Sequence, residues 1–126
     1  MEMKPVNVHE ALAGFDDIYS PRIVTKVNDY DVRIAHALGD HVWHVHEHTD
    51  EFFLVLDGQF DVAVRADDGS ESTVVLRPGD TFVVPRGVEH ITRATAECHA
   101  LIIEPRGVAN TGDAGGTRTA PQDAWI

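Results

Sequence analysis

Short runs of Val, Ile, Phe and Leu, punctuated by Gly, Pro, Asn and Asp, fill the chain from Pro21 to Pro105. Residues 22–27 and 31–38 are two such runs with Asn28-Asp29 between them, which predicts two strands joined by a turn. Residues 42–46 alternate valine and tryptophan with histidine, as a further strand would. Residues 52–56 are continuously apolar, the pattern of a strand covered on both faces. Asp57-Gly58 predicts a tight hairpin into a strand over 59–65, and the Asp67-to-Ser70 stretch a second hairpin into 72–76. Arg77-Pro78-Gly79-Asp80 and Pro85-Arg86-Gly87 are turns before strands at 81–84 and 88–93, and a last strand covers 98–104. Ahead of these, residues 8–13 fit a short helix with Asn7 as its N-cap, Glu10 at the capping-box position and Gly14 at its end.

Many short strands with turns at this spacing predict an all-β sandwich or barrel, and no long helical stretch separates strands as a parallel α/β sheet would need. The expected organisation is an N-terminal extension (1–20), a β-barrel domain (21–105) and an irregular C-terminal tail (106–126). The tail is rich in Gly, Thr, Ala and Asp but closes on Trp125-Ile126, so it is expected to cross the surface and be pinned at that apolar pair.

Charge narrows the partners. The formal net charge is −11 over 126 residues, and no basic cluster interrupts it. Binding nucleic acid or anionic lipid needs phosphate-neutralising Lys and Arg, so neither is expected. No apolar run approaches the ~18 residues needed to span a bilayer. The N-terminus lacks a basic-then-apolar leader, and the single cysteine, Cys98, has no partner for an internal disulfide. A reducing cytoplasm is the expected location.

The densest chemistry lies between Gly39 and Gly58, where four of the eight histidines stand beside five carboxylates. On a strand His44 and His46 share a face, and Glu51 follows five residues later. Two imidazoles and a carboxylate suit Zn, Fe, Mn or Ni, and His90 completes a set of four if the fold returns it. Burying three histidines and a carboxylate without a metal is costly, which favours a metal over a hydrogen-bonded core.

These residues resemble the cupin superfamily. Its first motif, G-x5-H-x-H-x3,4-E-x6-G, is matched by Gly39, His44, His46, Glu51 and Gly58, with four residues rather than five before the first histidine. Its second, G-x5-P-x-G-x2-H-x3-N, is matched by Gly79, Pro85, Gly87 and His90, with Ala94 in place of the final Asn. The resemblance implies a double-stranded β-helix, or jelly-roll barrel, of six to eight antiparallel strands. It also implies one divalent metal held by His44, His46, Glu51 and His90 near a barrel mouth.

Other polar residues have plainer expectations. His41, of opposite parity to the ligands, and His48, in the following loop, are expected to be exposed. His36 shares a face with Val32, Ile34 and Leu38 and is expected in a core or interface. His99 could line the cavity and orient a ligand. Tyr30 and Arg86 are expected at the surface, and Cys98 as a buried packing residue with a raised thiol pKa. Trp43 should point away from the metal, against the N-terminal segment or another subunit. Phe52, Leu54 and Leu56 fall on the parity opposite Glu51, so they should face outward and support a homodimer.

The functional expectation is metal-dependent chemistry on a small organic molecule, of oxygenation, isomerisation or lyase type. The alternatives are a non-catalytic small-molecule binder and a scaffold whose metal is structural. There is no G-x-S-x-G elbow, P-loop, dinucleotide glycine fingerprint or paired-cysteine zinc site.

Overall fold

Asn7 opens the helix as expected: its side chain accepts from the Glu10 amide at 3.0 Å, and α1 covers Val8–Leu12. A computed structural model describes residues 3–126. The rest of the architecture is antiparallel sheet, made of β1 (Arg22–Val27), β2 (Tyr30–Asp40), β3 (Glu51–Asp57), β4 (Phe60–Arg65), β5 (Glu71–Leu76), β6 (Thr81–Val84) and β7 (Glu89–Pro105). Along one hydrogen-bonded path the order is β1-β2-β7-β3-β6, while β4 joins β7 and β5.

The 17-residue β7 is what lets one sheet fold over itself. Residues 89–93 pair with β4, residues 93–105 pair with β2 on one side, and residues 99–103 pair with β3 on the other. The strands expected at 88–93 and 98–104 are therefore one strand. Residues 42–46 depart further: apart from a single bridge between His44 and His90, this segment is not a strand.

The hairpin expected at Asp57-Gly58 is not formed. β3 pairs with β6 and β7, whereas β4 pairs with β5 and the other half of β7, so the chain crosses between layers here. Gly58 makes that crossing possible, with φ of 77° and no side chain. A Cβ there would sit 2.8 Å from the Cys98 Cβ and 2.9 Å from the Glu97 carbonyl oxygen. The turns at Asn28-Asp29 and at Asp67 to Ser70 do join paired strands, β1 to β2 and β4 to β5.

Strand alternation sorts the side chains into two cores. Phe53, Val55, Phe60, Val62, Ala100 and Cys98 belong to the inner one. On the opposite face, Leu12 of α1 packs with Val24, Val32 and Ile34, and Leu56, Leu101 and Ile103 border this second cluster. Leu56 borders the cluster under the N-terminal segment; Phe52, Leu54 and Leu56 are all half-buried and Val83 is exposed. Trp43 faces neither that segment nor the metal cluster: the Arg65 guanidinium lies 3.9 Å above its ring.

The tail is ordered and lies across the barrel. The Ile23 amide donates to the Ala124 carbonyl at 2.8 Å, and Trp125 bridges Ile23, so the chain end is pinned as expected. Between these points Asn110 donates to the Tyr19 carbonyl, and Thr111 is fully buried. Gly112 packs so closely on the histidine segment that a Cβ would meet the Val45 carbonyl at 2.5 Å and the His44 ring at 2.9 Å.

Candidate metal centre

His44, His46, Glu51 and His90 converge, all buried, with one ligand atom from each within 4.8 Å of the others. Each arrives from a different local setting. Glu51 opens β3 and points to the interior with Phe53 and Val55. His90 sits near the start of β7, after the Pro85-Arg86-Gly87 turn, whose Gly87 amide donates to the His46 carbonyl at 2.9 Å. The His44–His90 bridge, two backbone hydrogen bonds of 2.9 and 3.0 Å, holds the histidine segment against β7.

The ring orientations suit a cation. His44 Nδ1 lies 2.8 Å from the Val42 carbonyl and His90 Nδ1 2.9 Å from the Val88 carbonyl. Nδ1 therefore carries a proton in both rings, and Nε2 is the nitrogen left for a metal, as a lone pair whenever the ring is neutral. His90 Nε2 is 3.2 Å from one Glu51 oxygen and His46 Nε2 3.4 Å from the other. His46 Nε2 is buried without a hydrogen-bond partner. Buried lone pairs gathered round one carboxylate are what a divalent ion satisfies, so the cluster is able to bind a metal.

Electrostatics agree. Burial would raise the Glu51 pKa, but the facing His46 and His90 rings outweigh it and hold the carboxylate ionised. Burial and the neighbouring His90 push His44 down to about 4, leaving it neutral at ordinary pH. Burial acts downward on His90 too, but the Glu51 carboxylate overrides it and raises this ring above the usual histidine value. A metal must displace that proton. Affinity for Zn2+ is therefore expected to climb as pH rises through roughly 6.5 and to keep climbing above it, with protons released on binding. Calorimetry in buffers of different ionisation enthalpy measures the release; an affinity flat between about pH 6 and pH 8 would contradict it.

A cavity of about 40 Å³ adjoins the cluster, walled mostly by Phe53, Phe60, Ala35, Ile102 and other apolar groups. Several polar residues on its wall escaped the sequence reading. Glu104 ends the inward row of β7; burial first, then the Glu51 charge, push its pKa well up, against the pull of Arg33. Tyr19 also lines the cavity, with its hydroxyl donating to the Gly39 carbonyl. His41, expected to be exposed, is half-buried there and stacks on Tyr19 at 4.6 Å. The parity argument failed because residues 42–46 are not a strand. His41 Nε2 donates to the Asn110 carbonyl at 2.9 Å, leaving a buried, unpartnered Nδ1.

Arg33 backs Glu104 from inside the barrel, 3.4 Å away, and also reaches Asp31 at 3.1 Å and the tail carbonyls of Val108 and Gln122. His48, Tyr30 and Arg86 are exposed as expected. Cys98 is fully buried, and burial with the Asp61 and Glu97 charges pushes its thiol up to about 12. His36 is buried as expected, but His99 lies on the outer sheet face between Asp57 and Glu97, away from the cavity.

Comparison with known proteins agrees with this geometry. A cupin-2 domain containing protein from Shewanella frigidimarina is 37% identical, with a TM-score of 0.75 over 80% of this chain and 94% of that one. The 3-hydroxyanthranilate 3,4-dioxygenase of Xanthomonas euvesicatoria is 26% identical over 116 residues, which cover 90% of this chain and 65% of the enzyme. Hydroquinone 1,2-dioxygenase from Sphingomonas sp. TTNP3, solved with 4-hydroxybenzoate bound, is 27% identical with a TM-score of 0.61, over 79% of this chain and 73% of that one. The cupin domain model matches residues 32–104, which include the Glu51 and His90 strands and the whole candidate centre, and the chain belongs to the cupin family.

Proposed function

We propose that His44, His46, Glu51 and His90 hold one divalent ion and that the chain oxygenates a small hydroxylated aromatic molecule in the adjoining cavity. The observation that carries this is the convergence of four buried ligand atoms beside a cavity that also holds two groups able to handle protons. A bound metal would supply a Lewis-acid centre and, if redox-active, a place to activate dioxygen. The chain's own part is acid–base and steric. Glu104 in its protonated form can donate a hydrogen bond to a substrate oxygen, while neutral His41 can accept a proton from a substrate hydroxyl through Nδ1. The wall is apolar, but about 40 Å³ is smaller than the roughly 150 Å³ that holds benzene, so seating a ring requires the wall to move apart. The two similar dioxygenases, whose names specify hydroxylated aromatic substrates, support this substrate class.

Oxygen uptake tests it, using protein loaded separately with Fe2+, Mn2+, Ni2+ and Zn2+ and offered hydroquinone and 2-aminophenol-type rings. Turnover with one ion, lost in Glu104→Gln at unchanged metal content, is the expected result. Ring binding without turnover under any ion would favour the second reading, a non-catalytic binder, for which the largely apolar cavity wall speaks.

We also propose a homodimer. Phe52, Leu54 and Val83 lie together on the outer face through the Phe52–Val83 pairing of β3 with β6, beside Leu101 and Ile103 of β7. Covering a large apolar side chain is worth roughly 1.5–3 kcal/mol, and the N-terminal segment covers only part of this row. Light scattering should give a dimer for the wild type and a monomer for Leu54→Glu; a wild-type monomer at tens of micromolar would exclude it. A cytoplasmic setting fits the single buried thiol, and among the described residues no helix is long and apolar enough to cross a membrane.

A further inference from the structure

Away from the barrel cavity, three strands place polar residues in one row on the outer sheet face. His36 of β2 stands opposite His99 of β7, and His99 stands opposite Asp57 of β3. Glu97, two residues before His99, joins the row from the same strand. His36, Glu97 and His99 each bring one ligand-type atom within 4.8 Å of the others.

The proton positions make this more than a cluster of polar groups. His36 Nε2 lies 3.0 Å from the Leu12 carbonyl, an acceptor only, so the ring proton is there. His36 Nδ1 then holds a lone pair, and it is buried with no hydrogen-bond partner on a residue 5% exposed. It points at Glu97 Oε1, 3.6 Å away. His99 Nδ1 lies 3.1 Å from Asp57 Oδ2, and its Nε2 lies 3.2 Å from Glu97 Oε2. A neutral ring can donate to one carboxylate only. With Nδ1–H given to Asp57, the Nε2 lone pair also faces Glu97. In that tautomer two imidazole lone pairs and a carboxylate converge.

We infer that His36, Glu97 and His99 form a second divalent-cation site, of Zn2+ type. Two imidazoles and one carboxylate suit Zn2+, Ni2+, Co2+ or Cu2+ and disfavour Ca2+ and Mg2+, which prefer oxygen ligands. The second ring nitrogens already make the bonds that orient metal-binding histidines, one to a backbone carbonyl and one to a carboxylate. Glu97 is half-exposed, so water reaches the remaining coordination positions. The ion would cross-link β2 to β7 and, through the Leu12 carbonyl, fasten α1 to the sheet. His9 of α1 adds a further group at the rim, 3.6 Å from Asp57.

Equilibrium dialysis of the full chain against Zn2+, followed by elemental analysis, tests this. The variants are Glu97→Gln/His99→Asn for the outer site and His46→Ala/His90→Ala for the barrel site. Two ions in the wild type and one in each variant is the expected result. A His46→Ala/His90→Ala protein that folds and takes none would overturn the inference, as would equal zinc content in wild type and Glu97→Gln/His99→Asn. If His46→Ala/His90→Ala does not fold, as judged by circular dichroism, the second comparison decides alone, since its substitutions are at solvent-accessible positions.

Discussion

Replacing His46 or His90 with alanine should empty the barrel site, weakening Zn2+ binding there by more than about 100-fold. Loss of a residue that merely orients a ligand costs about 10–100-fold, so loss of a ligand sets a higher floor. Each truncation also removes a ring that contacts the buried Glu51 carboxylate. His48→Ala should change nothing, because that side chain is exposed. Elemental analysis in the Glu97→Gln/His99→Asn background counts this site by itself. Full occupancy after both His46 and His90 are removed would refute the assignment.

The second large effect concerns Arg33, which is 2% exposed and is the cation between Asp31 and Glu104. Removing one member of a buried ionic group costs on the order of 3–5 kcal/mol, because the remaining charge is left uncompensated. Arg33→Leu should therefore lower the melting temperature of the chelated protein by roughly 10–20 °C. Glu104 adds little to that penalty, because burial already favours its neutral form; the stranded charge is mainly Asp31, which retains Lys26 at 3.2 Å. Adding Asp31→Asn to Arg33→Leu should recover part of the loss. A melting temperature within a few degrees of wild type for Arg33→Leu would show that the ionic group adds no stability.

The strands were legible because each run of Val and Ile is short and bounded by residues that form turns, and β1, β4, β5 and β6 fall close to where those boundaries put them. The His–Glu cluster was legible because Glu51 and His90 lie on real strands and point inward. His44 and His46 point inward for another reason, the bridge to His90 and the Gly87–His46 hydrogen bond, so the same parity rule misplaced His41. Asp57-Gly58 looked like a hairpin because local turn chemistry does not say which strands will pair on either side. Glu104 carried a usable signal: Cys98, Ala100, Ile102 and Glu104 alternate along one strand, so a carboxyl at the end of an inward row should have been expected at the site. The His36–His99–Asp57 row had none, since it depends on which three strands lie side by side.

The segment crossing the barrel is held at both ends. Arg106 donates to the Asp29 carbonyl at its start and Ile23 takes Ala124 at its finish, while the Arg33 guanidinium clasps the Val108 and Gln122 carbonyls between them. Such a strap cannot swing aside like a free end. A molecule entering past Gly112 and His44 must wait for the middle of the strap to bow outward while its moorings stay fastened. Arg33, deep in the barrel, holds the strap at both the Val108 and the Gln122 carbonyls.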